Sequence, residues 1–281
     1  MKKWVIFSDV DGTIYPFPGK VLSQVNIDKA VEIKEKGVEF VINTGNAPYE
    51  KIQRLANQMS SRYIVCSNGA LIFDNLEKKV LNIEYINTQE AKKIWDLAEQ
   101  VGVYLYYFGD NRYFLKDPTP EFRKFITEFC EYDNWILTGE IPDDLHKIEL
   151  YGDKDKLKEF YDKAMSMNIN LNIVYLVSHI EITKPGISKG TGMKWLCDNI
   201  FESDVKTAMA IGDSQNDISM FEMTDYSYAM ANIDDYSIQF AKLHTSSVEQ
   251  NGLAEAIDDY LYRTDFELKR QLSQQGPKRK K

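Results

Sequence analysis

Histidine, cysteine and positive charge are the scarce features of this sequence. Its three histidines, His146, His179 and His244, lie far apart and match no metal-ligand spacing, so each is expected to be structural. The three cysteines, Cys66, Cys130 and Cys197, are odd in number and lack C-x-x-C pairing. That excludes a disulfide framework or a zinc knuckle and leaves ordinary buried thiols. The phosphate loop G-x-x-x-x-G-K-[ST] does not occur. No apolar run approaches the ~20 residues of a membrane span, and Met1 leads straight into an apolar strand without a signal segment. No membrane role is therefore expected, and the cytoplasm is the expected compartment. Lys and Arg number 34 against 43 Asp and Glu, a net charge of -9, so no nucleic-acid partner is expected either. One basic run, Lys278 to Lys281, dissents, and residues 266–281 read as a disordered, solvated basic tail.

What is present begins with Trp4-Val5-Ile6-Phe7-Ser8-Asp9-Val10-Asp11-Gly12-Thr13. An apolar run of strand length ends in two acids one residue apart, then glycine, which reads as a buried strand presenting carboxylates at its C-terminal end. Open α/β sheets bind ligands at that edge. Asp9 and Asp11 share a side while the strand persists, and two carboxylates held that close repel unless a cation or proton intervenes. A hard, oxygen-liganded ion such as Mg2+ satisfies them. A calcium loop of the EF-hand type would need glycine and glutamate where Ile14 and Lys20 stand, so it is excluded. Taken alone, D-x-D-G is more often a polar strand end.

The surrounding pattern gives it context. A helix after Ser23, a strand at Val38 to Ile42, a helix near Pro48 to Met59 and a strand at Tyr63 to Cys66 alternate with short connections. This is the signature of a parallel sheet covered by helices. Between about 84 and 182 the pattern turns to hairpins and mixed helices, which suggests an α+β unit inserted into the first. Alternation resumes with a helix from Ser188 to about Asn199, a strand at Thr207 to Ile211, a helix from Ser214 to Met223 and a last helix from Val248 to Tyr262. The expected organisation is an α/β fold with a core of 1–83 plus 183–265 and an inserted unit at 84–182.

Three further sites fall at strand ends or helix starts. Gly212-Asp213-Ser214-Gln215-Asn216-Asp217 places Asp213 at the sheet edge and Asp217 about a turn later, where both can join Asp9 around one cation. Ser214 as a helix cap and Asp217 as a first-turn acid is the plainer alternative. Thr44 and Gly45, after the second strand, offer a hydroxyl and a bare N–H to a phosphate oxygen, or a simple turn. Lys189, at the start of a helix, can place a point charge on a dianion or sit solvated. Tyr104, Tyr106, Tyr107 and Phe108 form an aromatic strand that either lines a pocket or fills a sheet core.

In order and context the four sites resemble the haloacid dehalogenase superfamily, specifically its Cof-like subgroup with a type IIB α/β cap. The resemblance implies a Rossmann-like parallel-sheet core carrying the cap between its second and third motifs. It implies a Mg2+-dependent phosphatase acting on a small phosphorylated substrate such as a sugar phosphate, as a monomer or homodimer. Asp9 would be the nucleophile and Asp11 the acid and base. Asp9, Asp11 through its carbonyl, Asp213 and a supporting Asp217 would hold Mg2+. Thr44, Gly45, Lys189 and Asn216 would bind the phosphoryl group. Two positions depart from the pattern: Asn46 stands where arginine is usual, and Ala231 replaces glycine before Asn232. A phosphomutase related to the phosphomannomutases, and a catalytically weak binding or regulatory relative, are the alternatives.

Overall fold

Two sheets organise the chain. The computed structural model describes residues 4–19, 21–137 and 139–274, with side chains through 265. The larger sheet takes β1 (Val5–Ser8), β2 (Glu39–Asn43), β3 (Tyr63–Cys66), β4 (Leu71–Asp74) and β5 (Lys79–Ile83). The smaller is built from β6 (Tyr104–Gly109), β7 (Arg112–Lys116), β8 (Ile136–Leu137), β9 (Lys147–Tyr151), β10 (Asn172–Tyr175) and β11 (Ile180–Thr183). The chain then returns to the larger sheet with β12 (Met209–Gly212), β13 (Tyr226–Ala229) and β14 (Leu243–His244).

The larger sheet has the order β14-β13-β12-β1-β2-β3-β4-β5, parallel from β14 through β3 and closed by the antiparallel β4 and β5. This is the α/β architecture the alternation implied. Strand β1 is central and wholly buried, so its residues serve both faces. Ile6 packs on the side of α1 (Gln24–Glu35), α2 (Glu50–Gln58) and, from the chain's end, Ile257, whereas Val5 and Phe7 pack with Met193 and Leu196 on the other. A continuous apolar strand is what burial on both faces requires. Ser23 caps α1 as its sequence position suggests, accepting from the Val25 N–H.

In the smaller sheet, order β10-β11-β9-β6-β7-β8, helices α3 (Thr88–Val101) and α5 (Lys154–Ser166) cover one face. Helix α4 (Pro120–Cys130) lies on the other with Ala47 and Tyr49 of the larger unit. Period-two alternation sends Tyr107 into the first cluster and Tyr106 and Phe108 into the second, while Tyr104 stacks on Phe122 at 4.6 Å. The aromatic strand is therefore sheet core, and the pocket-lining role is corrected.

The later helices are α6 (Lys189–Leu196), α7 (Ile218–Phe221) and α8 (Gly252–Gln274). Each differs from the sequence reading for a local reason. Helix α6 widens into a π turn at Cys197–Phe201. The helix expected from Ser214 is a 3-10 turn at Gln215–Asp217 before α7, because the Asp217 carboxylate folds back onto the Asp213 and Ser214 N–H groups. Asn251, left-handed at φ 62°, separates a 3-10 turn from α8. Helix α8 then runs to Gln274, so its backbone is regular through half of the segment expected to be a disordered tail. Lys278 to Lys281 lie outside the described residues.

His146, fully buried just before β9, sits 3.1 Å through Nε2 from the Ser67 hydroxyl. Burial, then the Lys147 charge, pushes its imidazole down to about 3. The folded protein keeps it neutral, while the unfolded chain protonates it below about 6.5. Stability is therefore lost as pH falls below that value. Thermal unfolding of wild type and His146→Asn at pH 7.5 and pH 5 should show the smaller acid-side drop in Tm for the variant; equal drops would contradict this.

Candidate active site

The C-terminal end of β1 meets the loops after β2, β3 and β12 and the start of α6, which brings the four separated sequence sites together. The Asp9 N–H continues the ladder to the Ile211 carbonyl at 3.0 Å, which fixes its side chain at the sheet edge. The chain then turns at Gly12, whose φ of 86° and near neighbour Asp213 leave no room for a Cβ, which would lie 2.1 Å from Asp213 Oδ2. Asp9 and Asp213 are thereby brought together from positions 204 residues apart in sequence.

Lys189 holds the cluster. Its side chain is fully buried at the start of α6, where a Ser188–Thr191 capping box sets the helix entry. Its Nζ donates to Asp9 Oδ1 at 2.5 Å and to Asp217 Oδ1 at 2.7 Å. Burial alone would lower the ammonium, but Asp217 and Asp9 outweigh it and raise it. Asp217 is saturated from behind, since its Oδ2 accepts the N–H groups of Asp213 and Ser214, each at 3.0 Å. Burial, against Lys189, carries its carboxyl up to about 6. Asp213 is driven further, to about 9, by burial and then by Asp9 and Asp217. Asp9 is also raised, by burial and by Asp11 against the pull of Lys189.

One ammonium is too little charge for these carboxylates. Asp9, Asp213 and Asp217 each offer an oxygen within 4.8 Å of the others, and Asp11 Oδ1 is buried with no hydrogen-bond partner among the described residues. An all-oxygen, anionic donor set of this kind fits a hard divalent cation such as Mg2+.

Sequence reasoning named Asp9, Asp11, Asp213, Asp217 and Lys189, and the fold gathers them. Thr44 is buried beside them, its hydroxyl accepting from the Asn46 N–H at 3.1 Å and from Asn46 Nδ2 at 3.2 Å. Asn46, the position that departs from arginine, also donates to Asp11 Oδ2 at 3.2 Å, so it steadies the candidate acid instead of projecting a charge. The sequence marks Asn232 only as the residue after Ala231. Its amide donates to the Gly12 carbonyl at 2.8 Å and to Asp213 Oδ2 at 3.1 Å, closing the cluster on the β13 side.

Gly45 and Asn216 meet the smaller sheet. The buried Lys147 donates to the Gly45 carbonyl at 2.6 Å, to Glu149 at 2.5 Å and to Glu181 Oε1 at 2.6 Å. Glu181 Oε2 accepts the amides of Asn68 at 2.7 Å and Asn216 at 3.1 Å. Burial alone would lower the Lys147 ammonium and raise the Glu181 carboxyl. Glu149 and then Glu181 reverse the first, and Lys147 with His179 reverses the second. No motif pointed to this pair; only the pairing of β9 with β11 brings Lys147 and Glu181 onto one face. Glu181→Ala should destabilise the protein by about 3 kcal/mol in urea unfolding, because two amides lose their acceptor inside the protein and the Lys147 ammonium loses one of its three. A change below about 0.5 kcal/mol would contradict the account.

A cavity of about 840 Å³ opens onto Asp9, Asp11, Asp213, Asn216 and Asn232, walled in part by the turn between β10 and β11. A family model described as haloacid dehalogenase-like hydrolase matches residues 6–257. The chain is similar to a 5-amino-6-(5-phospho-D-ribitylamino)uracil phosphatase of Bacillus subtilis, 26% identical and covering 90% of this chain and 94% of that protein. It is similar to a phosphoglycolate phosphatase of Methanothermobacter thermautotrophicus, 25% identical over 90% of this chain and 96% of that protein. Its fold matches the solved structure of a HAD subclass IIB sugar phosphatase with a TM-score of 0.80 at 19% identity, covering 92% of this chain and 99% of the other.

Proposed function

Because the chain belongs to the haloacid dehalogenase-like hydrolases, we propose that it is a Mg2+-dependent phosphatase of small phosphorylated metabolites that works through an aspartyl-phosphate at Asp9. The observation that carries this reading is the buried bridge of Lys189 between Asp9 and Asp217, set behind the Asp9 and Asp213 carboxylates that line an open cavity. Curated relatives matching nine-tenths of the chain are named as phosphatases, which supports the reaction class. The sugar-phosphate class rests on the resemblance and on the name of a fold neighbour.

Asp9 attacks phosphorus as a carboxylate, forming the acyl phosphate bond as the ester P–O bond breaks. Asp11 gives its proton to the departing oxygen, then takes one from the water that attacks the acyl phosphate, releasing inorganic phosphate and restoring Asp9. Asn46 holds the Asp11 carboxyl during both transfers. Lys189 and the Asn216 amide offset charge on the phosphoryl oxygens, with the Thr44 hydroxyl and Gly45 N–H as further donors. Mg2+, held by Asp9, the Asp11 carbonyl and Asp213 with Asp217 behind, would neutralise the phosphoryl oxygens as they meet the Asp9 carboxylate. The unit at 84–182 acts as a cap that excludes water and selects the leaving group. A mutase must also hold a second phosphate, and Asn46 supplies no cation for one.

The test is phosphate release from a panel of monoesters with Mg2+, with chelator, and with Asp9→Asn. Release that chelator stops, that Mg2+ restores, and that falls about a thousandfold or more in the variant is the expected result. Isomerised phosphosugar without free phosphate would transfer the reading to a mutase, and a folded, Mg2+-loaded enzyme inert on the whole panel would refute it.

A further inference from the structure

The cavity is acidic and polar at its floor but carbon-lined above it. Phe17, in the loop after β1, is half exposed at its mouth and meets Phe129 of α4 edge-on, ring centres 6.0 Å apart. Tyr175, at the end of β10, and Leu176 and Val177, in the turn joining β10 to β11, complete this wall. The turn is tightly built: the Ser178 N–H donates to the Leu176 carbonyl at 2.7 Å, and the Leu176 N–H to the His179 carbonyl at 2.9 Å. It holds Val177 at φ 66°, a left-handed conformation that a β-branched residue adopts only against resistance, and leaves its side chain exposed to the cavity. Strain of this kind is retained where a side chain must be presented.

Such a wall discriminates between leaving groups. The hydroxyls of a bare sugar or glycerol phosphate that face Phe17, Phe129 and Leu176 would lose water there, and only those turned toward polar lining such as Asp234 and Glu249 would gain a partner. The face of a flat, unsaturated ring carries no group that needs one, and it stacks on aromatic carbon. Ring N–H and hydroxyl groups at its edge have acceptors in the carboxylates of Asp234 and Glu249, which also line the cavity. The space, about 840 Å³, lies in the upper part of the ~300–1,000 Å³ range of small-molecule sites and exceeds what a phosphorylated pentose alone fills.

Resting on the phosphatase reading above, we propose that the favoured substrate is a phosphorylated sugar or polyol that carries a heteroaromatic ring, bound with the ring against the wall of Phe17, Phe129, Tyr175, Leu176 and Val177. The ring selects and the phosphoryl group reacts: the phosphoryl site lies at the edge of the larger sheet, whereas the wall takes Phe17 from that unit and Phe129, Tyr175, Leu176 and Val177 from the inserted one.

The test compares ribose 5-phosphate with the nucleoside 5'-monophosphates, which share the same primary phosphoester and differ by the ring. Wild-type kcat/KM should be about tenfold or more higher for at least one ring-bearing member, chiefly through KM, the scale that one ring–aromatic stack supplies. Phe17→Ala, on an exposed loop, and Val177→Gly, which also relieves the strained φ, should each pull that ratio toward one by raising KM for the ring-bearing substrate. A wild-type ratio of one or less overturns the inference, as does a ratio that neither variant moves, or turnover of other monoesters with neither member of the pair accepted. In each of those cases the phosphatase reading stands. Absence of Mg2+-dependent release from any monoester removes that reading and this inference with it.

Discussion

Everything at this site depends on a charge imbalance that the fold maintains. Asp9, Asp213 and Asp217 are held at one sheet edge around a single buried ammonium, Lys189. Burial and mutual repulsion raise all three carboxyls, and Lys189, helped by backbone N–H groups at Asp9 and Asp217, opposes them. Such an arrangement is costly unless further positive charge arrives, and the missing charge is what a divalent cation brings. The site is thus built for an incoming partner, in a structure whose stability comes from the two apolar faces of the parallel sheet behind it.

The smaller sheet meets that edge with its own ionic pair. Lys147 and Glu181 reach the loops after β2, β3 and β12 through Gly45, Asn68 and Asn216. Gly45 has no side chain because one would collide with Glu181, its Cβ falling 2.5 Å from Oε1. The glycine that the sequence offered as a phosphate-binding N–H is therefore also the place where the second unit closes onto the first. Buried pairs of this kind fix geometry more than they add stability. Here they fix which faces of the two units surround the cavity.

Much of this was legible in the residues. The strand-then-acid pattern located Asp9, Asp11 and Asp213, because a buried parallel strand has a sequence signature and its C-terminal edge has a known use. The alternation gave the α/β class for the same reason. Lys189 was readable as a charge at a helix start, yet its burial between two carboxylates was not, since that depends on β1 and β12 being neighbours. The role of Asn46 was hidden because a departure from a motif says what is lost, not where the new side chain points. Lys147 and Glu181 carry no motif at all. The aromatic strand misled because alternating aromatics fit a core and a pocket equally until the helices on both faces are known. Turn chemistry misled near Ser214, where a side chain bending back onto the backbone shortened the helix.

The central claim is that Asp9 is the nucleophile that carries the phosphoryl group, and covalent trapping tests it most directly. Enzyme mixed with Mg2+ and a hydrolysed monoester, quenched in acid during turnover and digested, should yield the peptide containing Asp9 with one added phosphoryl group, labile to base and to hydroxylamine. Turnover with that peptide unmodified at every quench time, or with the phosphoryl group on another residue, would contradict the account.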